Sequence, residues 1–213
     1  MRSTYSLGRW RGVPITLHWT VLLALPWFYY QTRSLSATAI SFAAFLFLLV
    51  SHELGHAAVA KWRGVAVERI QLFFIHGLCA HDEPYDETDD VLIAWGGVAA
   101  QLAVLIAALG ANALLAASSP SAHQAAAPLF RVLVQTNLFM MVFNLIPVAP
   151  LDGAKAWRAV PLLWRSIRQM SWMAAWRRHS AARARARNKK LEAEAERITA
   201  DIIEKLKKGK SDA

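Results

Sequence analysis

His52-Glu53-Leu54-Gly55-His56 forms the pattern H-E-x-x-H inside an apolar stretch of the chain. On a helix the i, i+4 spacing sets both imidazoles on one face about one turn apart, which is the arrangement two ligands of one Zn²⁺ require. A catalytic zinc takes three protein ligands and keeps a position for water, whose pKa it lowers to about 7. Glu53, next to the first ligand, is placed to take that water's proton. In a soluble chain a five-residue pattern arises often by chance. Here two histidines and a glutamate sit within an apolar span, where ionisable groups are costly unless paired or metal-bound, so the chance reading loses weight.

A third ligand has to come from elsewhere, because residues 57–75 contain no further histidine. The one acid at a comparable membrane position is Asp152, in the run Asn144-Leu-Ile-Pro147-Val-Ala-Pro150-Leu-Asp152-Gly153. Pro147 and Pro150 cannot donate backbone hydrogen bonds and break a helix, leaving irregular backbone that is tolerated at depth only where it lines an enclosed or watered cavity. Asn144, just before that break, can donate to a substrate carbonyl or an oxyanion.

The elements that must position these residues belong to an unusual chain. Its 213 residues are 55% hydrophobic and 18% charged, with a mean hydropathy of +0.27. Ordinary globular chains carry about 25% charged residues. Residues 155–213 hold 16 of the 24 Lys and Arg against 6 of the 15 acids, so a +10 tail follows a body of net charge −1. This balance excludes a disordered chain, a disulfide scaffold and a plain cytosolic enzyme, and it indicates an integral membrane protein. The lone Cys79 forms no internal disulfide and agrees with a reducing compartment.

Crossing a hydrocarbon core takes roughly 20 apolar residues as a helix. Four stretches suit: 14–30, 39–60, 91–117 and 128–149. Ala37-Thr38-Ala39 resembles a signal-cleavage site, but the apolar run before it is long and a second span follows at once. Lys and Arg alternate between high and low along the connections: Arg2, Arg9 and Arg11; Arg33; Lys61, Arg63 and Arg69; none in 118–127; then the tail. By the positive-inside rule both termini lie in the cytoplasm, with an even number of crossings. The segment 118–127 reads as a short polar turn.

Within 61–90, Val65, Val67, Ile70, Leu72, Phe73, Phe74 and Ile75 followed by Gly77 read as a short strand or hairpin at the membrane surface. The acidic run Asp82 to Asp90 is expected to be a solvated turn capping the third span through Asp89 or Asp90, with docking of basic residues beside a substrate helix as the sharper alternative. His76, Cys79 and His81 lack partner acids in fixed geometry and do not read as a second metal site. His18 is expected to hydrogen-bond internally, and His123 and His179 to face solvent.

The pair H-E-x-x-H and N-x-x-P-x-x-P-L-D-G on two separate spans resembles the site-2 protease family of intramembrane zinc metalloproteases, in the manner of a compact bacterial member. The likeness covers roughly residues 8–160, since Gly12-Val-Pro14-Ile-Thr-Leu-His18-Trp19-Thr20 is similar to the first span of many members. It implies His52, His56 and Asp152 as ligands of one zinc per chain, Glu53 as general base and acid, and Asn144 as a substrate-positioning residue. The implied substrate is a single-pass membrane protein such as an anti-sigma factor or another membrane-tethered regulator. One departure stands out: where the family carries Gly-Pro-x-x-Asn, this chain has Gly96-Gly97-Val98-Ala99-Ala100-Gln101. Gln101 is kept as a substrate-positioning candidate, although small residues four apart here also describe a helix-packing surface.

In the tail, Trp157, Trp164, Trp172 and Trp176 among Arg158, Arg165, Arg168, Arg177 and Arg178 read as a helix in the headgroup region, drawn to anionic lipid. Pro161 is expected to kink or restart it. Leu191, Ala195, Ile198, Ile202 and Leu206 recur at spacing three and four beside Glu192, Glu196, Arg197 and Lys205, a modest amphipathic helix too short to define an oligomer. Lipid charge explains the basic run without nucleic acid. Neither tail nor 61–90 loop has the size of an independent core, so substrate selection is expected to rest on the hairpin, the acidic loop and the tail.

The expected architecture is therefore an all-α integral membrane protein of the inner (plasma) membrane with about four transmembrane helices. Residues 1–153 form the metalloprotease core with a membrane-surface hairpin between the second and third spans, and 154–213 form the basic, helical, cytoplasmic tail. A zinc-dependent intramembrane endopeptidase is the leading reading and a catalytically silent protease-like scaffold the rival, which the intact Glu53 disfavours. A divalent-metal permease would need a second polar path through the other spans.

Overall fold

Glycine governs the start of the chain. Arg11 (φ 48°) and Gly12 (φ 89°) make a left-handed turn, a conformation that glycine adopts at no steric cost. The turn folds strand β1 (Thr4–Trp10) back antiparallel onto strand β2 (Val13–His18), pairing from Thr4 opposite His18 to Trp10 opposite Val13 with a shift in register between Ser6 and Gly8. The computed structural model describes residues 3–74, 76–169 and 171–211, with side chains at 169, 171–175, 177, 198 and 200–211 left out of the description. Arg2 and Ile75, and the side chains of Trp172, Arg177, Ile198, Ile202, Lys205 and Leu206, thus lie outside the described residues.

This hairpin corrects the first expected span. Residues 14–30 are not one helix: β2 takes them to His18, a 3₁₀ turn runs Trp19–Leu23, and helix α1 covers Ala24–Thr32, with Pro26 in its first turn where a missing N–H costs little. The two helical pieces together reach about 23 Å, short of the roughly 30 Å of a hydrocarbon core. Three described stretches are long and apolar enough to cross a membrane: Leu35–Trp62, Glu87–Ser118 and Pro120–Asn144.

Helix α2 (Leu35–Trp62) starts at Ser34, whose hydroxyl accepts from the Ala37 N–H, and ends before Gly64 at φ 78°. The chain then enters β3 (Val67–Leu72) and β4 (Gly77–His81), an antiparallel pair. β3 also pairs parallel with β2, Ile15 opposite Ile70 and Leu17 opposite Leu72, to complete a four-stranded sheet in the order β1-β2-β3-β4. The all-α expectation is corrected accordingly, because the N-terminal segment supplies half of a sheet. Ile70 and Leu72, two residues apart and so on one face, are fully buried in a core with Leu48, Leu49 and Val21. The turn between β3 and β4 reaches Phe74, whose ring stacks edge-on to Phe45 of α2 with centroids 6.4 Å apart. The hairpin therefore packs along α2.

Helix α3 (Glu87–Ser118) is capped by Asp86, whose carboxylate accepts from the Asp89 N–H at 2.7 Å, and Glu87, Asp89 and Asp90 in its first turn favour the helix dipole. The cap is thus Asp86, neither Asp89 nor Asp90. Those two are employed elsewhere: Asp89 is buried against Arg63, and Asp90 pairs with Lys155 at 2.8 Å. Only Ser119 separates α3 from α4 (Pro120–Arg131), so the polar turn expected at 118–127 is largely helix, started by Pro120 in the first helical turn. Pro128 inside α4 removes one hydrogen bond, and a π-helical segment, Val132–Thr136, follows before α5 (Asn137–Asn144).

The helix ends at Asn144, and residues 145–152 run as turns through Pro147 and Pro150 to the short helix α6 (Gly153–Ala156). This is the irregular stretch the two prolines imply. Helices α2 and α3 pack tightly because they meet at glycine: a Cβ on Gly55 would lie 2.3 Å from the Gly96 carbonyl oxygen. Between apolar helices in lipid, close backbone approach is a main source of association.

The chain divides into two compact units, residues 1–160 and 161–213. Helix α7 (Ala159–Gln169) carries Pro161 in its first turn, where it starts a helix without kinking it. Helix α8 (Ser171–Ser211) is continuous, and its described side chains, including Arg183, Arg185 and Arg187, are exposed.

Candidate metal centre

Residues from α2 and from the turn after α5 converge. His52, Glu53 and His56 are each more than nine-tenths buried. His52 Nε2 lies 2.9 Å and His56 Nε2 3.2 Å from the same oxygen, Oδ2 of Asp152, and the two nitrogens are 3.0 Å apart. Glu53 Oε1 is 4.0 Å from His52 Nε2. Among the described residues, His52, Glu53 and His56 also form a group whose donor atoms lie within 4.8 Å of one another.

The donor set fits zinc. Zinc–ligand bonds of about 2.0–2.1 Å in a tetrahedron set ligand atoms roughly 3.3 Å apart, close to the spacings of the three atoms here. The tautomer also fits: His56 Nδ1 donates to the Ile93 carbonyl at 2.7 Å, which directs the Nε2 lone pair toward the cluster. The Asn144 amide nitrogen lies 3.4 Å from His52 Nε2, at the same point. Burial raises the Asp152 carboxyl, but hydrogen bonds with His52 and His56 outweigh it and hold that carboxyl below the usual carboxylate range.

Glycines allow this convergence. A Cβ on Gly153 would sit 2.3 Å from the Ile146 carbonyl oxygen, so only glycine lets the turn close and deliver Asp152. A Cβ on Gly97 would lie 2.5 Å from His56 Nε2 and 2.6 Å from His52 Cε1, and one on Gly77 1.9 Å from Glu53 Oε1. The turn is moored to α3 as well. Trp95 Nε1 donates to the Ala156 carbonyl at 3.0 Å, and Asp90 holds Lys155 and, at 3.5 Å, Arg158. Trp157 Nε1 donates to the Leu145 carbonyl at 2.7 Å.

A cleft of about 210 Å³ opens on the cluster, lined by His52, Glu53, His56, Asn144 and Asp152, by Gly77 to Cys79 of β4, and by Lys155. His52, Glu53, His56, Asp152 and Asn144 are thus brought together. Gln101 is not among the lining residues: it is fully buried, neither side-chain atom has a protein hydrogen-bond partner, and its backbone carbonyl accepts from Asn137 Nδ2 at 2.9 Å.

His76, Cys79 and His81 line the cleft without clustering as ligands, since the His76 and His81 Nδ1 atoms sit against the backbone carbonyls of Gly77 and Asp82. Burial, with Glu53 and Asp152 adding, pushes the Cys79 thiol up to about 12, so it stays protonated and unreactive at neutral pH. His18 Nδ1 bonds locally to Thr20 Oγ1 at 2.9 Å. His179 is exposed. His123 instead bridges to Asn112 Oδ1 at 3.0 Å, joining α4 to α3. The sequence reading missed Gly77, Trp95 and the Ile93 carbonyl; the last is backbone, which leaves no residue signature.

No family model matches the chain. It is 34% identical over 182 residues to Rip3 of Mycobacterium tuberculosis, which carries the name of a zinc metalloprotease, covering 78% of this chain and 45% of Rip3. It is 33% identical over 164 residues to the zinc metalloprotease MJ0392 of Methanocaldococcus jannaschii, covering 75% of this chain and 46% of that one. The chain therefore spans a little under half the length of these curated relatives. The solved structure of the site-2 protease from Methanocaldococcus jannaschii superposes with a TM-score of 0.58 at 29% identity, covering 74% of this chain and 71% of that chain. Both motifs meet at one buried cluster in a shared fold, and the likeness in sequence and in fold is to zinc metalloproteases of the site-2 protease kind.

Proposed function

We propose that the protein is an intramembrane zinc endopeptidase that hydrolyses a peptide bond in or near the transmembrane segment of a tethered substrate. The observation that carries this reading is the meeting of His52 Nε2, His56 Nε2 and Asp152 Oδ2 within 3.2 Å of one another, with the Glu53 carboxylate 4.0 Å from His52 Nε2. One zinc per chain, held by His52, His56 and Asp152, would supply Lewis acidity toward the scissile carbonyl and acidify water beside it.

The chain's own residues do the rest. Glu53 takes a proton from the attacking water and returns it to the leaving nitrogen; its burial removes competing solvent. The Asn144 amide donates to the substrate carbonyl as negative charge develops on its oxygen. Gly77 lets β4 lie against Glu53 and close that side of the cleft. The substrate class is a single-pass membrane regulator such as an anti-sigma factor, and the tail associates with anionic lipid and not with nucleic acid. The body resides in the inner membrane with both termini cytoplasmic. Parallel pairing of β2 with β3 supports this topology, because it places the N-terminal sheet beside the segment that leaves α2, so that residues 19–32 lead back to the start of α2 and act as the fourth, shorter pass.

Co-expression with single-span reporter substrates tests the reading. Wild type is expected to release a fragment cut within or beside the span, and Glu53→Gln to release none. Equal release by both would sink the assignment; no release by either, with metal retained, would favour the silent scaffold.

A further inference from the structure

The end of α2 opposite the metal cluster is built differently. A polar cavity of about 340 Å³ lies there, lined by Gln31, Thr32, Ser41, Gln124 and Arg131 among others. It shares Phe28, Gln31, Gln135 and Thr136 with an apolar groove of about 680 Å³. That groove runs along α5 past Phe139 and Phe143 to Asn144, which itself touches His52. Cavity-lining residues thus run from the reacting end to a polar end. Two helices give the length of this run: Arg131 to Asn144, and Ser41 to His52, are 13 and 11 residues apart, or roughly 16–20 Å along a helix.

Charge at the far end is one-sided. All nine acids of residues 1–154 lie elsewhere, Glu53 and Asp152 in the cluster and seven in the 68–90 segment. The cations near the cavity are Arg33, whose guanidinium stacks over Tyr30 at 4.6 Å, and Arg131. Arg131 makes no ion pair among the described residues. Arg131 is exposed at that end, and ionisable residues on apolar spans mark binding paths. We infer that Arg131 receives a carboxylate of the substrate, carried about 20 Å from the scissile bond on an otherwise apolar transmembrane segment. This rests on the proteolytic reading and adds a specificity residue to it: the groove takes the apolar chain, the cavity reads one negative charge, and together they set which bond reaches Glu53.

The test measures binding apart from cleavage. Full-length protein carrying Glu53→Gln is reconstituted in discs of zwitterionic phosphatidylcholine and titrated with labelled single-span peptides bearing Glu, Gln or Lys at the far end. With Arg131 present the Glu peptide is expected to bind about tenfold more tightly than the Gln peptide. That ratio falls to about one in Arg131→Gln, and Arg131→Glu prefers the Lys peptide, a reversal that misfolding cannot produce. A ratio unchanged by Arg131→Gln, or equal binding of Glu and Gln peptides when Arg131 is present, overturns the inference. A preference that follows added anionic lipid instead of peptide charge assigns Arg131 to a headgroup and equally overturns it. Absence of cleavage by the Glu53 enzyme would sink the proteolytic reading while leaving the binding ratio to report on Arg131.

Discussion

The two ends of the membrane-embedded unit solve opposite problems. At the metal end, backbone and side chains approach so closely that Gly77, Gly97 and Gly153 tolerate no Cβ without movement, and His52 Nε2, His56 Nε2 and Asp152 Oδ2 lie within 3.2 Å of one another. At the other end, Gln31, Gln124, Gln135 and Arg131 line open space. Under the proposed proteolysis, density holds three donor atoms in place for a metal, and openness leaves room for a substrate chain to enter and leave. An intramembrane site needs both, because rigid ligands lower the cost of binding the ion while a bulky substrate requires a path through lipid.

Breaking the dense end should cost most. His56→Ala removes a proposed ligand, and metal analysis of the purified protein is expected to find zinc near zero, with proteolysis at background. Gly97→Ala sharpens the comparison with one methyl group. It lies 2.5 Å from His56 Nε2, so the imidazoles must shift. Zinc affinity is expected to fall about 10- to 100-fold, and stability by about 1–3 kcal/mol, read by competition with a chelating dye and by thermal unfolding. Zinc affinity unchanged in this variant would show that the close approach does not constrain the ligands.

Asp90→Asn loosens the mooring of the Asp152 turn. Because Lys155 and Arg158 are about half exposed, the loss should stay at or below about 1 kcal/mol, visible as a small drop in midpoint temperature. Smallest of all, Ala127→Val at the open end adds two methyl groups where the cavity has space, and a change within about 0.5 kcal/mol is expected. A destabilisation matching that of Gly97→Ala would erase the contrast between the two ends.

Much of the metal end was legible in the sequence. The i, i+4 histidines fix their own relative geometry, and an apolar span makes any acid informative, so His52, Glu53, His56 and Asp152 could be singled out without coordinates. Gly97 was noticed as a departure from the family pattern, yet its task, leaving room beside two imidazoles, depends on how α3 crosses α2. The first span was misread for a related reason: Val13, Ile15 and Leu17 are apolar enough for a membrane helix, but the turn at Arg11–Gly12 and the pairing partner at Ile70–Leu72 draw them into a sheet. Strand pairing over more than 50 residues of separation leaves little local trace. The cap at Asp86 instead of Asp89 or Asp90 follows likewise from ion pairs with Arg63 and Lys155 that only the fold brings into reach. Gln101 was legible as polar within a small-residue stripe, while its burial away from the cleft lining was not.

The most direct test of the account measures zinc and cleavage on the same preparations of wild type, Glu53→Gln and Asp152→Ala in lipid. The account expects close to one zinc per chain in wild type and Glu53→Gln, a marked loss of zinc in Asp152→Ala, and proteolysis of a tethered substrate by wild type alone. Full zinc occupancy without the Asp152 carboxylate, or cleavage that survives Glu53→Gln, would contradict it.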